Sequence, residues 1–135
     1  MIDEHAAAVL SLLTAAITTP RKVFDGKVDD GTDPRATPYI LVYFDSADPE
    51  FDFRAAPWSF ELSITVHAVG GNAQAARQMA DLARGALIGV IPAVSGRTCY
   101  PITRAESGTP PQRDESTGVL VMDQIDVYSL VSVPG

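Results

Sequence analysis

Residues 57–68 read P-W-S-F-E-L-S-I-T-V-H-A, and their alternation constrains the fold more than any other stretch of the chain. Trp58, Phe60, Leu62, Ile64, Val66 and Ala68 fall on one side, and Ser59, Glu61, Ser63, Thr65 and His67 on the other. A period of two held this long marks a half-buried β-strand. At about 3.3 Å per residue it would run roughly 40 Å, about twice a typical strand. Such a strand either crosses a whole domain or projects beyond it.

The flanking chain supplies the partners. Ile2, Ala6, Val9, Leu10, Leu13, Ala16 and Ile17 recur at helical spacing, with Asp3 and Glu4 in the first turn and Pro20 beyond the end, predicting a helix over 2–18. A short extended piece at 22–25 leads into a Gly/Asp/Pro loop. Residues 38–45 (P-Y-I-L-V-Y-F-D) are almost continuously apolar and predict a central strand covered on both sides. A long acidic connection at about 45–57 then forms the tip of a hairpin with the 57–68 strand. Gly70-Gly71 punctuates strand and helix, Asn72 is a candidate N-cap, and Ala76, Met79, Ala80, Ala83 and Leu87 mark a second amphipathic helix. Two more strands follow, at 98–106 and 118–133, around a polar loop at 107–117. In the last strand Leu120 and Met122 share one parity and Ile125 and Val127 the other, which predicts a β-bulge at Asp123-Gln124. The expected fold is α+β: a mixed, mostly antiparallel sheet of about four long strands, with two helices on one face. With 135 residues the chain is expected to form a single domain over 1–135.

The composition narrows the function classes. Seventeen acidic residues against ten basic ones give a net charge of −7, so the basic footprint of a specific nucleic-acid binder is missing. One cysteine, Cys99, excludes an internal disulfide and suits a buried structural thiol. No secretory leader or membrane-length apolar run is recognisable, so a soluble product is expected. His5 and His67 lack partners at metal-ligand spacing and read as surface histidines. Asp29, Asp30 and Asp33 around Gly31 miss the calcium-loop pattern and read as a solvated acidic turn. No phosphate loop or nucleophile elbow is present. Glu61, Glu106, Asp123 and Asp126 read as carboxylates on solvated strand faces. No catalytic residue, cofactor site or metal site is expected. Phe51 and Phe53, set in the acidic hairpin tip with Glu50, Asp52 and Arg54, suit anchoring to a protein partner; the alternative is that the rings fold back on their own sheet.

The element order, with V-F-D-G-K-V, P-Y-I-L-V-Y-F-D, S-F-E-L-S-I-T-V-H-A-V-G-G, A-A-R-Q-M-A-D-L-A-R-G-A-L and the closing R-A-E-S-G-T-P-P-Q-R-D-E-S-T-G-V-L-V-M-D-Q-I-D-V-Y, resembles the tail terminator (tail completion) proteins of long-tailed bacteriophages. The likeness covers nearly the whole chain and is one of pattern and order, without a short diagnostic signature. It implies a structural virion subunit without enzymatic activity, built into a hexameric ring at the head-proximal end of the tail after assembly in the host cytoplasm. Such a ring caps the tail tube, ends tube growth and presents the head-tail joining surface. The implied partners are further copies of the chain, the tail tube protein and a head-closure or neck protein, with DNA passing through the channel unbound and no membrane involved. Residues 50–54 would then be partner contacts, with Asp29, Asp30 and Asp33 facing the channel. Two other readings remain open on the residues alone: a different ring protein of the particle, such as a neck or minor tail component, or a small ligand-binding or hydrolase domain.

Overall fold

The computed structural model describes residues 1–46, 59–106, 110–114 and 121–135. The elements in chain order are α1 (Ile2–Ala16), β1 (Lys22–Asp25), β2 (Tyr39–Ser46), β3 (Phe60–Gly70), α2 (Ala73–Leu87), β4 (Arg97–Cys99), β5 (Thr103–Glu106), β6 (Gln112–Asp114) and β7 (Val121–Pro134). The sheet runs β1-β2-β3-β7, with β4, β5 and β6 successively along the far side of β7. Only β1 with β2 is parallel among the described pairs. The α+β class, the mixed sheet and the two helices on one face agree with the sequence. The described strands number seven rather than four.

The core lies between the helices and one face of the sheet. Val9, Leu13 and Ile17 of the α1 region, and Met79, Ala80, Ala83 and Leu87 of α2, pack on Ile40, Val42, Leu62, Ile64, Val66, Ala68, Tyr128 and Leu130. These positions alternate along every long strand, as the pleat requires. Small Ala residues let α2 approach the sheet closely. Asn72 caps α2 by accepting the Ala75 N–H at 2.8 Å. Gly70 is needed where β3 enters α2: a Cβ there would lie 2.7 Å from Ala75 Cβ and 2.9 Å from Ala76 N.

Four expectations change. Residues 38–45 are not covered on both sides, because burial alternates along β2 and Tyr43 is 45% exposed on the outer face. The expected strand at 98–106 is two strands, β4 and β5. Tyr100 N–H still reaches Val131 O, but Pro101 has no N–H to give and Ile102 N–H turns to Val90 O at 2.9 Å. The polar loop contains β6. The expected bulge at Asp123-Gln124 is absent, since β3 and β7 pair one to one from Phe60 with Ser132 to Gly70 with Met122. The parity never slips: Gln124, Asp126, Tyr128, Leu130 and Ser132 all face the helices, so polar residues occupy a buried face. The irregularity sits instead in β5, between Arg104 and Glu106. At 14 residues, β7 is the longest of the described strands, roughly 45 Å at about 3.3 Å per residue.

Candidate functional site

Residues 50–54, the expected partner contact, lie outside the described residues, as do Pro57 and Trp58. Asp29, Asp30 and Asp33 are exposed on the loop that follows β1. All three line one open cavity, together with Pro20, Lys22, Phe24 and Tyr39. Asp33 closes a turn by accepting the Arg35 N–H at 3.0 Å and the Arg35 guanidinium at 3.3 and 3.4 Å. Those bonds hold its carboxyl below the usual carboxylate range. Among the described residues, no three His, Cys, Asp or Glu side chains are grouped to hold a metal ion. The loop shares a cavity with Tyr39, Leu41 and Tyr43 on the outer face and with Asp114 and Val121, so it folds beside the face that the helices leave open.

The carboxylates give a different picture from the sequence. Asp126 is 2% exposed, not on a solvated face. Its Oδ2 accepts Arg84 Nε at 2.9 Å, and its Oδ1 accepts a terminal nitrogen of Arg84 at 3.2 Å and one of Arg104 at 2.9 Å. Two guanidiniums therefore neutralise one buried carboxylate and bolt α2 and β5 to β7. The Asp126 hydrogen bond raises the Arg84 pKa. Tyr128, next along the same face, is fully buried; burial first, then the Asp126 charge, pushes its hydroxyl upward. Tyr128 OH, Gln124 Oε1 and Arg104 Nε are buried without a hydrogen-bond partner among the described residues. The signal for this cluster was present: counting back by two from Leu130 puts Asp126 inward, and Arg84 flanks the apolar stripe of α2.

His5 is likewise not a surface histidine; it is fully buried. It continues the Val9 and Leu13 stripe at helical spacing, which the sequence displayed. Its Nδ1–H donates to Met1 O at 2.8 Å and its Nε2 lies 2.7 Å from Ser132 Oγ. The Ser132 hydroxyl donates to that Nε2 while accepting Arg97 Nε at 3.1 Å, and Arg97 also bonds Ser132 O at 3.0 Å. A Ser–His contact can suggest a nucleophile, but Ser132 is fully buried and its lone pair is spent on an arginine. The arrangement pins α1 and β4 to β7. On the outer face, half-buried His67 donates from Nδ1 to Asp123 Oδ2 at 2.9 Å, with the Tyr43 ring edge-on at 5.5 Å. Cys99 is a buried thiol, as expected, and burial raises its pKa.

Five large apolar side chains are exposed among the described residues: Met1, Tyr43, Ile88, Ile91 and Tyr100. Beside β1, an open groove of about 870 Å³ runs between the end of α1 and the strand, lined by Thr14, Ile17, Thr18 and all four residues of β1. Among the described residues, no helix is long and apolar enough to cross a membrane.

No protein-family model matches the chain, and no characterised protein sequence does. Solved structures do. A chain from the virion of a native gene transfer agent particle superposes with a TM-score of 0.63 at 22% identity, covering 96% of this chain and 93% of that one. A second solved protein, carrying no functional name, superposes with a TM-score of 0.65 at 20% identity, over 98% of this chain and 95% of its own. The chain has the fold of these two proteins along almost its whole length.

Proposed function

We propose that this protein is a structural subunit of a phage-like virion, and within it the ring that caps the tail tube. The observation that carries the reading is the near end-to-end likeness to a chain of a gene transfer agent virion. The order of elements that resembles tail terminators supports the finer assignment. The site chemistry is compatible with it: the buried carboxylate and the buried histidine are both consumed by internal contacts, leaving the exposed edges, apolar residues and loops as the working parts.

The mechanism is one of interfaces. Six copies close a ring, one face of which matches the tube protein while the other does not repeat it, so tube growth stops there. The second face receives the head-closure or neck protein. Residues 50–54 are partner contacts, and Asp29, Asp30 and Asp33 face the channel. A net charge of −7 repels phosphate, which lets DNA slide through without sticking. Mass measurement across a concentration series, with electron microscopy of large species and of added tail tubes, tests this. A closed six-fold ring, in solution or seated only on tube ends, is the expected result. A monomer or dimer that ignores tubes overturns it.

A further inference from the structure

We propose that the free edge of β1 is a docking site for an acidic segment, residues 47–52, of a second copy of this chain, added as a further strand beside β1. This rests on the ring reading, whose subunit contact it specifies.

The edge is available in the described structure. Gly26 N–H donates to Val42 O at 2.9 Å; with the alternation of a strand, Lys22 and Phe24 turn their backbone groups to β2, while Val23 and Asp25 turn theirs outward. No described backbone group pairs with those outward donors and acceptors. Unpaired strand edges recruit strands. The groove of about 870 Å³ follows this edge, with Ile17, Val23 and Phe24 among its lining residues. It therefore offers a hydrogen-bonding wall and an apolar floor, on the side of the sheet opposite the edge closed by β4, β5 and β6.

Charge selects the occupant. Arg21, Lys22 and Lys27 line the groove against the carboxylates of Asp25 and Asp29, an excess of cations in a chain of net charge −7. Among the described residues, none of the three cations forms an ion pair; Arg21 meets only the Thr18 hydroxyl, at 3.5 Å. Residues 47–52 read A-D-P-E-F-D, three carboxylates in six positions with one aromatic ring. They follow the end of β2, in the stretch outside the described residues that joins it to β3. Copy-to-copy pairing of this kind uses two different surfaces, so it is head-to-tail and closes into a ring when the rotation allows.

The test uses the full chain. Self-association is measured by sedimentation for the wild type, for Asp25→Pro, for Lys22→Glu with Lys27→Glu, and for that pair combined with Asp48→Lys and Glu50→Lys. Asp25→Pro deletes an outward N–H that the fold does not use, so circular dichroism should be unchanged while association weakens about tenfold or more. The lysine reversal should weaken it similarly, added salt should weaken the wild type, and the double reversal should restore association. If the wild type is a monomer, binding of a labelled peptide of residues 44–57 replaces sedimentation, with the same variants. Association or peptide binding indifferent to both β1 variants overturns the proposal, as does a monomer that leaves the peptide unbound at about millimolar concentration. A ring that survives both β1 variants overturns this contact and leaves the ring reading standing; absence of any ring on tubes removes the ring reading itself.

Discussion

Arg84 of α2 reaches across the core to Asp126 at the centre of β7, placing Nε 2.9 Å from Oδ2 and a terminal nitrogen 3.2 Å from Oδ1. Asp126→Ala leaves two guanidiniums facing a buried void and is expected to cost about 3–5 kcal/mol in urea unfolding. Replacing the triad by apolar residues, with Asp126→Leu, Arg84→Met and Arg104→Met together, should recover much of that loss. A triple variant as unstable as the single one would show that the charges do more than satisfy each other.

Ser132 serves two partners at once, His5 and Arg97. Ser132→Ala should cost about 1–3 kcal/mol, because both partners lose a buried bond. His5→Ala should cost more, since it also empties space against the Phe60 ring, 4.7 Å away. In a double-mutant cycle by urea denaturation, the two losses should fall short of additive.

The Tyr128 hydroxyl is buried, unpartnered among the described residues, and its pKa is raised. A raised folded-state pKa means that this tyrosine's contribution to stability is fully present below the unfolded value of about 10 and is lost as pH climbs from there toward the folded value. Tyr128→Phe should change stability by no more than about 1 kcal/mol at neutral pH. Its advantage over the wild type should then grow between about pH 9 and pH 11, read from urea midpoints. Parallel alkaline curves would contradict this.

Deleting residues 49–54 should leave the melting transition of the monomer unchanged, since α1, α2 and the sheet already form a continuous core among the described residues. Docking to the tail tube or neck should fall. Normal head-tail joining by the deleted protein would end the assignment of residues 50–54 as partner contacts.

The sheet and both helices were legible because their signals are local and periodic: the alternation of β3, and the alanine and leucine spacing of α2. What the sequence concealed depends on pairs far apart in the chain. Asp126 reads as a surface acid until Arg84, 42 residues away, is known to lie above it. Its inward parity then contradicts the apolar parity of Ile125 and Val127, which suggested a bulge that does not exist. His5 was misread because a polar residue on an apolar stripe needs a distant partner, and Ser132 is 127 residues away. The break at Pro101 was visible as a proline in a strand but passed over within a long apolar pattern. The acidic turn was legible as a turn; what it faces in an assembly is not written in its residues.

β7 is the strand on which β3, β4, β5 and β6 all converge, and it follows every one of them in the chain. A ribosome therefore releases α1, β1, β2, β3 and α2 well before the strand that joins the two halves of the sheet. Until β7 emerges, the edge of β3 that it will cover, with Leu62, Ile64 and Val66 beside it, has nothing to pair with. The two halves of the sheet thus join only once β7 has been made, and until then each copy carries a bare β3 edge.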